Sequence, residues 1–148
     1  MHAQASRDRA PTGALYRHDG AGLEAVETEI AIANGLGWSP DGATLYFAET
    51  HRGIVWAYDY DLDKGTAGTQ RVFAEVSRAD GVPDGLTVDS AGRVLVALWG
   101  GGRINAYAPD GSLDFAITMP VRHPTSCCFG GPDPVSYTHL RAHETGRN

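Results

Sequence analysis

Asn34-Gly35-Leu36-Gly37-Trp38-Ser39-Pro40-Asp41-Gly42 and Asp84-Gly85-Leu86-Thr87-Val88-Asp89-Ser90-Ala91-Gly92 are two settings of one pattern. Each opens on a polar residue and a glycine, runs through strand-forming residues and closes in a turn that ends on glycine. An apolar alternating stretch follows, Thr44 to Ala48 in the first copy and Val94 to Leu98 in the second. After another glycine comes a third stretch, Ile54 to Tyr58 and Arg103 to Tyr107. Turn residues rich in Asp and Gly then lead to a fourth, Arg71 to Glu75 and Leu113 to Thr118. Short runs of β-branched and aromatic residues, punctuated by Gly, Pro and Asp, read as strands rather than helices. Each copy therefore predicts four antiparallel strands.

Partial copies flank these two. Ala14 to His18 and Leu23 to Thr28 read as the last two strands of a preceding unit. Thr125-Ser126-Cys127-Cys128-Phe129-Gly130-Gly131 reads as the first strand and turn of a following one. In this register Asn34, Asp84 and Thr125 hold one place in successive units, offset by 50 and then 41 residues. Four strands every 40–50 residues, roughly, is the period of a β-propeller blade. The first strand of a blade lies nearest the axis, so a polar residue that opens it faces the central channel. A β-sandwich with chance similarity between hairpins is the competing architecture, and the threefold register disfavours it. The expected fold is all-β: a partial β-propeller of about two complete four-stranded blades and two partial ones. Blade repeats are placed near residues 13–32, 34–76, 84–120 and 124–134, after a non-regular N-terminus at 1–11.

Composition narrows the function classes. The 148 residues carry 12 basic and 18 acidic side chains, a formal charge of −6, with 42 % hydrophobic residues. That balance suits a globular chain rather than a disordered one. Lys64 is the single lysine, and an acidic chain of this kind is a poor partner for nucleic acid. The longest apolar run, Val94 to Trp99, is far too short to span a bilayer. Met1 to Pro11 lacks the apolar core of a secretory signal. The adjacent Cys127 and Cys128 suit neither a disulfide with each other nor a metal-ligand spacing. Together these features predict a soluble cytoplasmic protein with no membrane partner.

The order and spacing of the motifs, from about Thr12 to Pro132, resembles the senescence-marker-protein, gluconolactonase and regucalcin group of six-bladed propellers. The resemblance rests on the Asn34 to Gly42 stretch, Tyr58 to Asp61, Pro83 to Asp89, Ala97 to Arg103 and Pro124 to Gly131. It implies one divalent metal ion (Ca, Zn, Mn, Mg or Fe) in the central channel, held by a glutamate, an asparagine and an aspartate. Asn34 matches the asparagine ligand. Asp84 matches the aspartate, which in the family is also the proposed general base. Carboxylate and amide oxygens suit a hard cation, and equivalent positions of adjacent blades converge on one axis. Such a metal polarises a lactone carbonyl and acidifies a bound water, while Asp84 takes the proton. The plainer alternative is that Asn34 and Asp84 only favour the turn before a strand.

No residue matches the family's glutamate ligand or its substrate-contacting Arg and Asn, and Glu24, Glu27 and Glu29 lie on or beside an outer strand. The implied function is a fragment of a metal-dependent sugar lactone hydrolase, with a small-molecule sugar lactone as partner. The parent would be a monomer or small homo-oligomer, and the chain by itself inactive. The rivals are a non-catalytic calcium-binding propeller and a protein-interaction propeller.

Other features imitate sites. Asp59, Asp61 and Asp63 have the spacing of a calcium loop, but Lys64 stands where that loop needs glycine and Gln70 where it needs glutamate. A solvated hairpin is expected there. Gly100-Gly101-Gly102 precedes a strand, not a helix, and so cannot cradle a phosphate on a helix N-terminus. No histidine is placed to activate Cys127 or Cys128. Trp38, Trp56 and Trp99 are expected to pack between blades. Residues 135–148 carry no repeat register. Their His139 and His143 have the spacing of a helical zinc pair, but the stretch resembles one reading frame of a transposon sequencing adapter and is read as run-on. Met1 is likewise read as an internal methionine of a longer gene.

Overall fold

The structure is a computed structural model, and it describes residues 10–130. Ten strands form three antiparallel sheets, with no α-helix among the described residues. The first sheet pairs β1 (Gly13–His18) with β2 (Leu23–Ile30). The second is a four-stranded meander of β3 (Ala33–Trp38), β4 (Thr44–Glu49), β5 (Ile54–Asp61) and β6 (Thr66–Glu75). A 3-10 turn at Arg78–Asp80, capped by Ser77, leads into the third. That sheet repeats the meander with β7 (Val82–Val88), β8 (Val94–Trp99), β9 (Arg103–Tyr107) and β10 (Leu113–Thr118). The all-β, blade-like architecture read from the repeat is what the chain adopts.

Both faces of the middle strands are buried, which is why β4 and β8 are apolar almost throughout. Tyr46, Ala48, Val55 and Ala57 of the second sheet meet Leu86, Val94, Val96, Leu98 and Tyr107 of the third. The opposite face of the second sheet, with Leu45, Phe47 and Tyr58, packs on Ile30 and Leu15 of the first. The opposite face of the third, with Leu95, Ala97, Ile104 and Ala106, is covered by Met119, Cys127 and Phe129. Burying each Val, Leu or Ile in such layers contributes about 1.5–3 kcal/mol. The sheets are thus stacked face to face around their first strands, and β3 and β7 are neighbours.

Some local expectations need correction. The fourth strand of the second sheet starts at Thr66, well before Arg71, because β5 runs on to Asp61 and Asp61 pairs with Thr66. The stretch from Thr125 is not a ladder-paired strand: residues 123–129 are irregular, with a single bridge residue at Gly130. A first strand takes its ladder from the second strand of its own blade, and the residues due to supply that strand lie outside those described. The stretch still lies alongside the third sheet, since Gly85 N–H donates to the Thr125 carbonyl at 2.8 Å. Of the three tryptophans, only Trp56 packs between sheets. Trp38 is 42 % exposed and meets Tyr60 of its own sheet edge-on. Trp99 is 49 % exposed and tilts against His123 with ring centroids 4.6 Å apart. His139 and His143, whose zinc-pair spacing is set aside, and the run-on reading of 135–148 lie outside the described residues.

Candidate functional site

The site is built from a defect in the ladder that occurs twice. Between Ala33 and Leu36, β3 advances three residues while its partner β4 advances two, from Glu49 to Phe47. Between Pro83 and Leu86, β7 does the same against Leu98 and Val96 of β8. An extra residue on one strand is a β-bulge, which bends the strand and re-aims its side chains. The bulged pairs are Asn34-Gly35 and Asp84-Gly85. Both polar residues therefore sit inside strands, not in the turns before them, so turn preference does not account for them.

The glycines explain how the bulges fit together. A Cβ on Gly35 would lie 2.7 Å from the Asp84 carbonyl oxygen, and one on Gly85 would lie 2.7 Å from that of Thr125. The inner segments of successive units touch backbone to backbone, and a side chain at either glycine would force them apart. Asn34, Asp84 and Thr125 thus stand side by side across two unit boundaries, as their common register predicted.

Asn34 is exposed, and its amide Nδ2 donates to Thr50 Oγ1 at 2.8 Å. The Thr50 hydroxyl in turn donates to the Pro83 carbonyl at 2.7 Å. The residue before Asp84 is therefore tied to Asn34 through one hydroxyl. Asp84 is half-buried, and no cationic side chain pairs with it among the described residues. Burial pushes its carboxyl above the usual carboxylate range, opposed only by a hydrogen bond from the Gly85 backbone. A desolvated carboxylate without a countercharge, next to an amide whose nitrogen is already committed, is donor chemistry that fits a hard divalent cation. The set is incomplete on its own: no group of three His, Cys, Asp or Glu side chains gathers among the described residues.

Two features escaped the sequence reading. Glu49 is 2 % exposed. It accepts a hydrogen bond from Trp56 Nε1 at 2.9 Å and faces Arg52 Nε at 3.5 Å. It ends β4 directly before Thr50, so the carboxylate anchors the strand end that presents the hydroxyl. A charged residue closing an otherwise buried apolar strand was the available signal. Thr50 had none, because a threonine after a strand is unremarkable until its partners are known.

Asp59 pairs with Arg71 at 2.6 Å and Asp61 with Lys64 at 2.7 Å, so this is a charge-compensated hairpin. Cys127 is buried, its Sγ 3.7 Å from the Leu95 carbonyl, and burial pushes its thiol up to about 12. Neither cysteine is in a disulfide. Among the described residues, no helix is long and apolar enough to cross a membrane.

A radial set of meander sheets with oxygen donors at equivalent inner bulges defines a propeller-type protein with its candidate site on the inner strands. The chain belongs to the SMP-30/Gluconolactonase/LRE-like family, whose model matches residues 1–136. It is 40 % identical over 122 residues to the pentonolactonase XacC of Haloferax volcanii, covering 82 % of this chain and 42 % of that protein. It is 38 % identical over 105 residues to regucalcin of Xenopus laevis, covering 70 % of this chain and 35 % of the relative. Among solved structures it resembles a calcium-binding protein, regucalcin, from Agrobacterium tumefaciens, with a TM-score of 0.80 and 27 % identity. That match covers 88 % of this chain and 44 % of the other. The chain thus spans less than half the length of these relatives.

Proposed function

We propose that the protein carrying this chain is a metal-dependent hydrolase of sugar lactones. The observation that carries the reading is the repeated bulge, which sets Asn34 and Asp84 on adjacent inner strands and leaves Asp84 half-buried, with no cationic side chain paired to it among the described residues. Family membership and the lactonase relative support the substrate class. Asn34, through its amide oxygen, and Asp84 would hold one divalent cation together with a ligand supplied elsewhere in the protein. Such a cation supplies Lewis-acid polarisation of a carbonyl and a more acidic water.

The chain's own residues do the rest. Asp84, with its carboxyl raised by burial, accepts the proton of the water that adds to the lactone carbonyl. The ring C–O bond then breaks, and the ring oxygen takes up that proton, giving the open hydroxy acid. Asn34 stays fixed on Thr50 throughout, so the oxygen side of its amide keeps one orientation. Thr125 lines the same channel and takes no part in these steps.

The experiment is turnover of a panel of aldono- and pentonolactones by the full-length protein, followed by acid release, before and after chelation and re-addition of metal. Metal-dependent hydrolysis supports the reading. A second reading is a non-catalytic calcium-binding propeller, favoured by the regucalcin relatives and the solved structure described as calcium-binding. It predicts calcium binding with no turnover of any lactone in the panel.

A further inference from the structure

The hydrogen bonds around Asn34 lead to a residue outside both repeat motifs. Thr50 follows the last residue of β4, and its hydroxyl stands between two sheets. It is bonded to Asn34 Nδ2 on one side and to the Pro83 carbonyl on the other, at 2.8 and 2.7 Å. A backbone carbonyl has no proton to give, so the single hydroxyl proton of Thr50 must go to Pro83. The hydroxyl oxygen is then left as an acceptor, and only the NH2 end of the Asn34 amide can satisfy it. The two ends of an asparagine amide are told apart by such partners and by nothing in their shape. The Pro83 carbonyl therefore dictates, through Thr50, which end of Asn34 turns away from the sheet boundary, and that end is the oxygen.

We infer that Thr50 is the positioning residue of the metal centre, fixing the Asn34 amide oxygen as a ligand and coupling it to the strand that carries Asp84. This rests on the reading of Asn34 and Asp84 as ligands. Without the hydroxyl, the amide is free to turn about its last torsion, and half of its orientations present NH2 to the cation. Outer partners of metal ligands typically control affinity by 10–100-fold, about the effect expected here. The hydroxyl, rather than the Thr50 methyl, is the active part, so serine preserves the positioning and valine loses it.

The test is Mn²⁺ binding by calorimetry to the metal-stripped full-length protein. Four forms are compared: wild type, Asn34→Ala, Thr50→Val and Thr50→Ser. Melting curves without metal run alongside, as does the division of any activity loss between KM and kcat. The expected result is Mn²⁺ affinity lowered about 10–100-fold in Thr50→Val, with an unchanged metal-free melt, and affinity close to wild type in Thr50→Ser. If valine lowers the metal-free melt, Thr50→Ala removes the same hydroxyl without crowding Pro83, and the same loss is expected of it. Wild-type affinity in both hydroxyl-free variants, with Asn34→Ala impaired, overturns the positioning role and leaves the ligand reading standing. Equal losses in serine and valine also overturn it, since the hydroxyl is then not what matters. Unchanged affinity in Asn34→Ala removes the ligand reading and this inference with it.

Discussion

The second and third sheets carry the same bulge in the same place, yet they fill it differently. In the second, Asn34 is exposed and its amide is tethered to Thr50. In the third, Asp84 is half-buried and no cationic side chain pairs with it among the described residues. The backbone repeats because each glycine must let the next inner segment approach within van der Waals distance. The chemistry does not repeat, because the close backbone approach constrains the glycine and not the type of side chain before it. A repeat fold thereby supplies several equivalent positions around one axis and lets each be given a different donor. The third position, Thr125-Ser126, shows how far this tolerance extends: a serine stands where the other two copies have glycine, and the segment is irregular rather than paired.

The difference between the two donors sets the largest expected effect. If the proposed lactonase reading holds, Asp84→Asn removes both a negative ligand and the proton acceptor, so lactone turnover should fall by about 10²–10⁴-fold, the usual worth of a positioned base. On the same reading Asn34→Ala removes a neutral ligand only. Its loss should be recovered in part by raising the metal concentration, whereas the Asp84→Asn loss should not. Metal titrations of kcat for the two variants separate these behaviours. Identical titration curves would show that the two bulges are chemically equivalent after all.

The glycines sharpen the comparison from the structural side. A methyl on Gly35 would press on the Asp84 carbonyl and the β7 backbone, which is held in a four-stranded ladder. A methyl on Gly85 would press on Thr125 and Ser126, in a segment with no ladder of its own. Overpacking of this kind costs about 1–3 kcal/mol, and the cost grows with the rigidity of what must move. Gly35→Ala should therefore destabilise the protein more than Gly85→Ala, measured as the shift in urea midpoint. The reverse order would mean that the Thr125 segment is the stiffer wall.

Much of this was legible in the sequence, because the repeat places like residues in like settings. The strand pattern, the meander and the common position of Asn34, Asp84 and Thr125 all follow from glycine and turn spacing. Trp38 and Trp99 show where such reasoning ends: each sits in a strand with interior periodicity, but at the strand end, where the neighbouring sheet no longer covers it. The Thr50 relay was not legible either. Its two hydrogen bonds join residues 16 and 33 positions away in sequence, a relation that only the stacking of sheets creates. The length of β6 was missed because its first half is paired by an extension of β5 that is rich in Asp and Tyr, residues usually read as turn.

The smallest expected effect concerns the layers that hold the two sheets in place. Burial pushes Tyr46 and Tyr107, between the second and third sheets, above their ordinary range. It pushes Tyr58, facing the first sheet, up to about 12, and Cys127, on the far side of the third, also to about 12. In the unfolded chain these groups ionise near 9 for the thiol and 10 for the phenols. Above those values the unfolded state binds fewer protons than the folded one, so stability falls as pH rises and is lost progressively toward 12. The melting temperature should therefore be insensitive to these groups at neutral pH and decline from about pH 9 upward. Thiol labelling then tells which layer opens first. At pH 8 a thiol reagent should modify the exposed Cys128 and spare Cys127. As the pH rises, Cys127 should become reactive before the tyrosines give their ionised absorbance, because an irregular segment carries it while the tyrosines stand on ladder-paired strands. Tyrosine ionisation ahead of Cys127 labelling would place the weak layer between the sheets and not beneath the Thr125 segment.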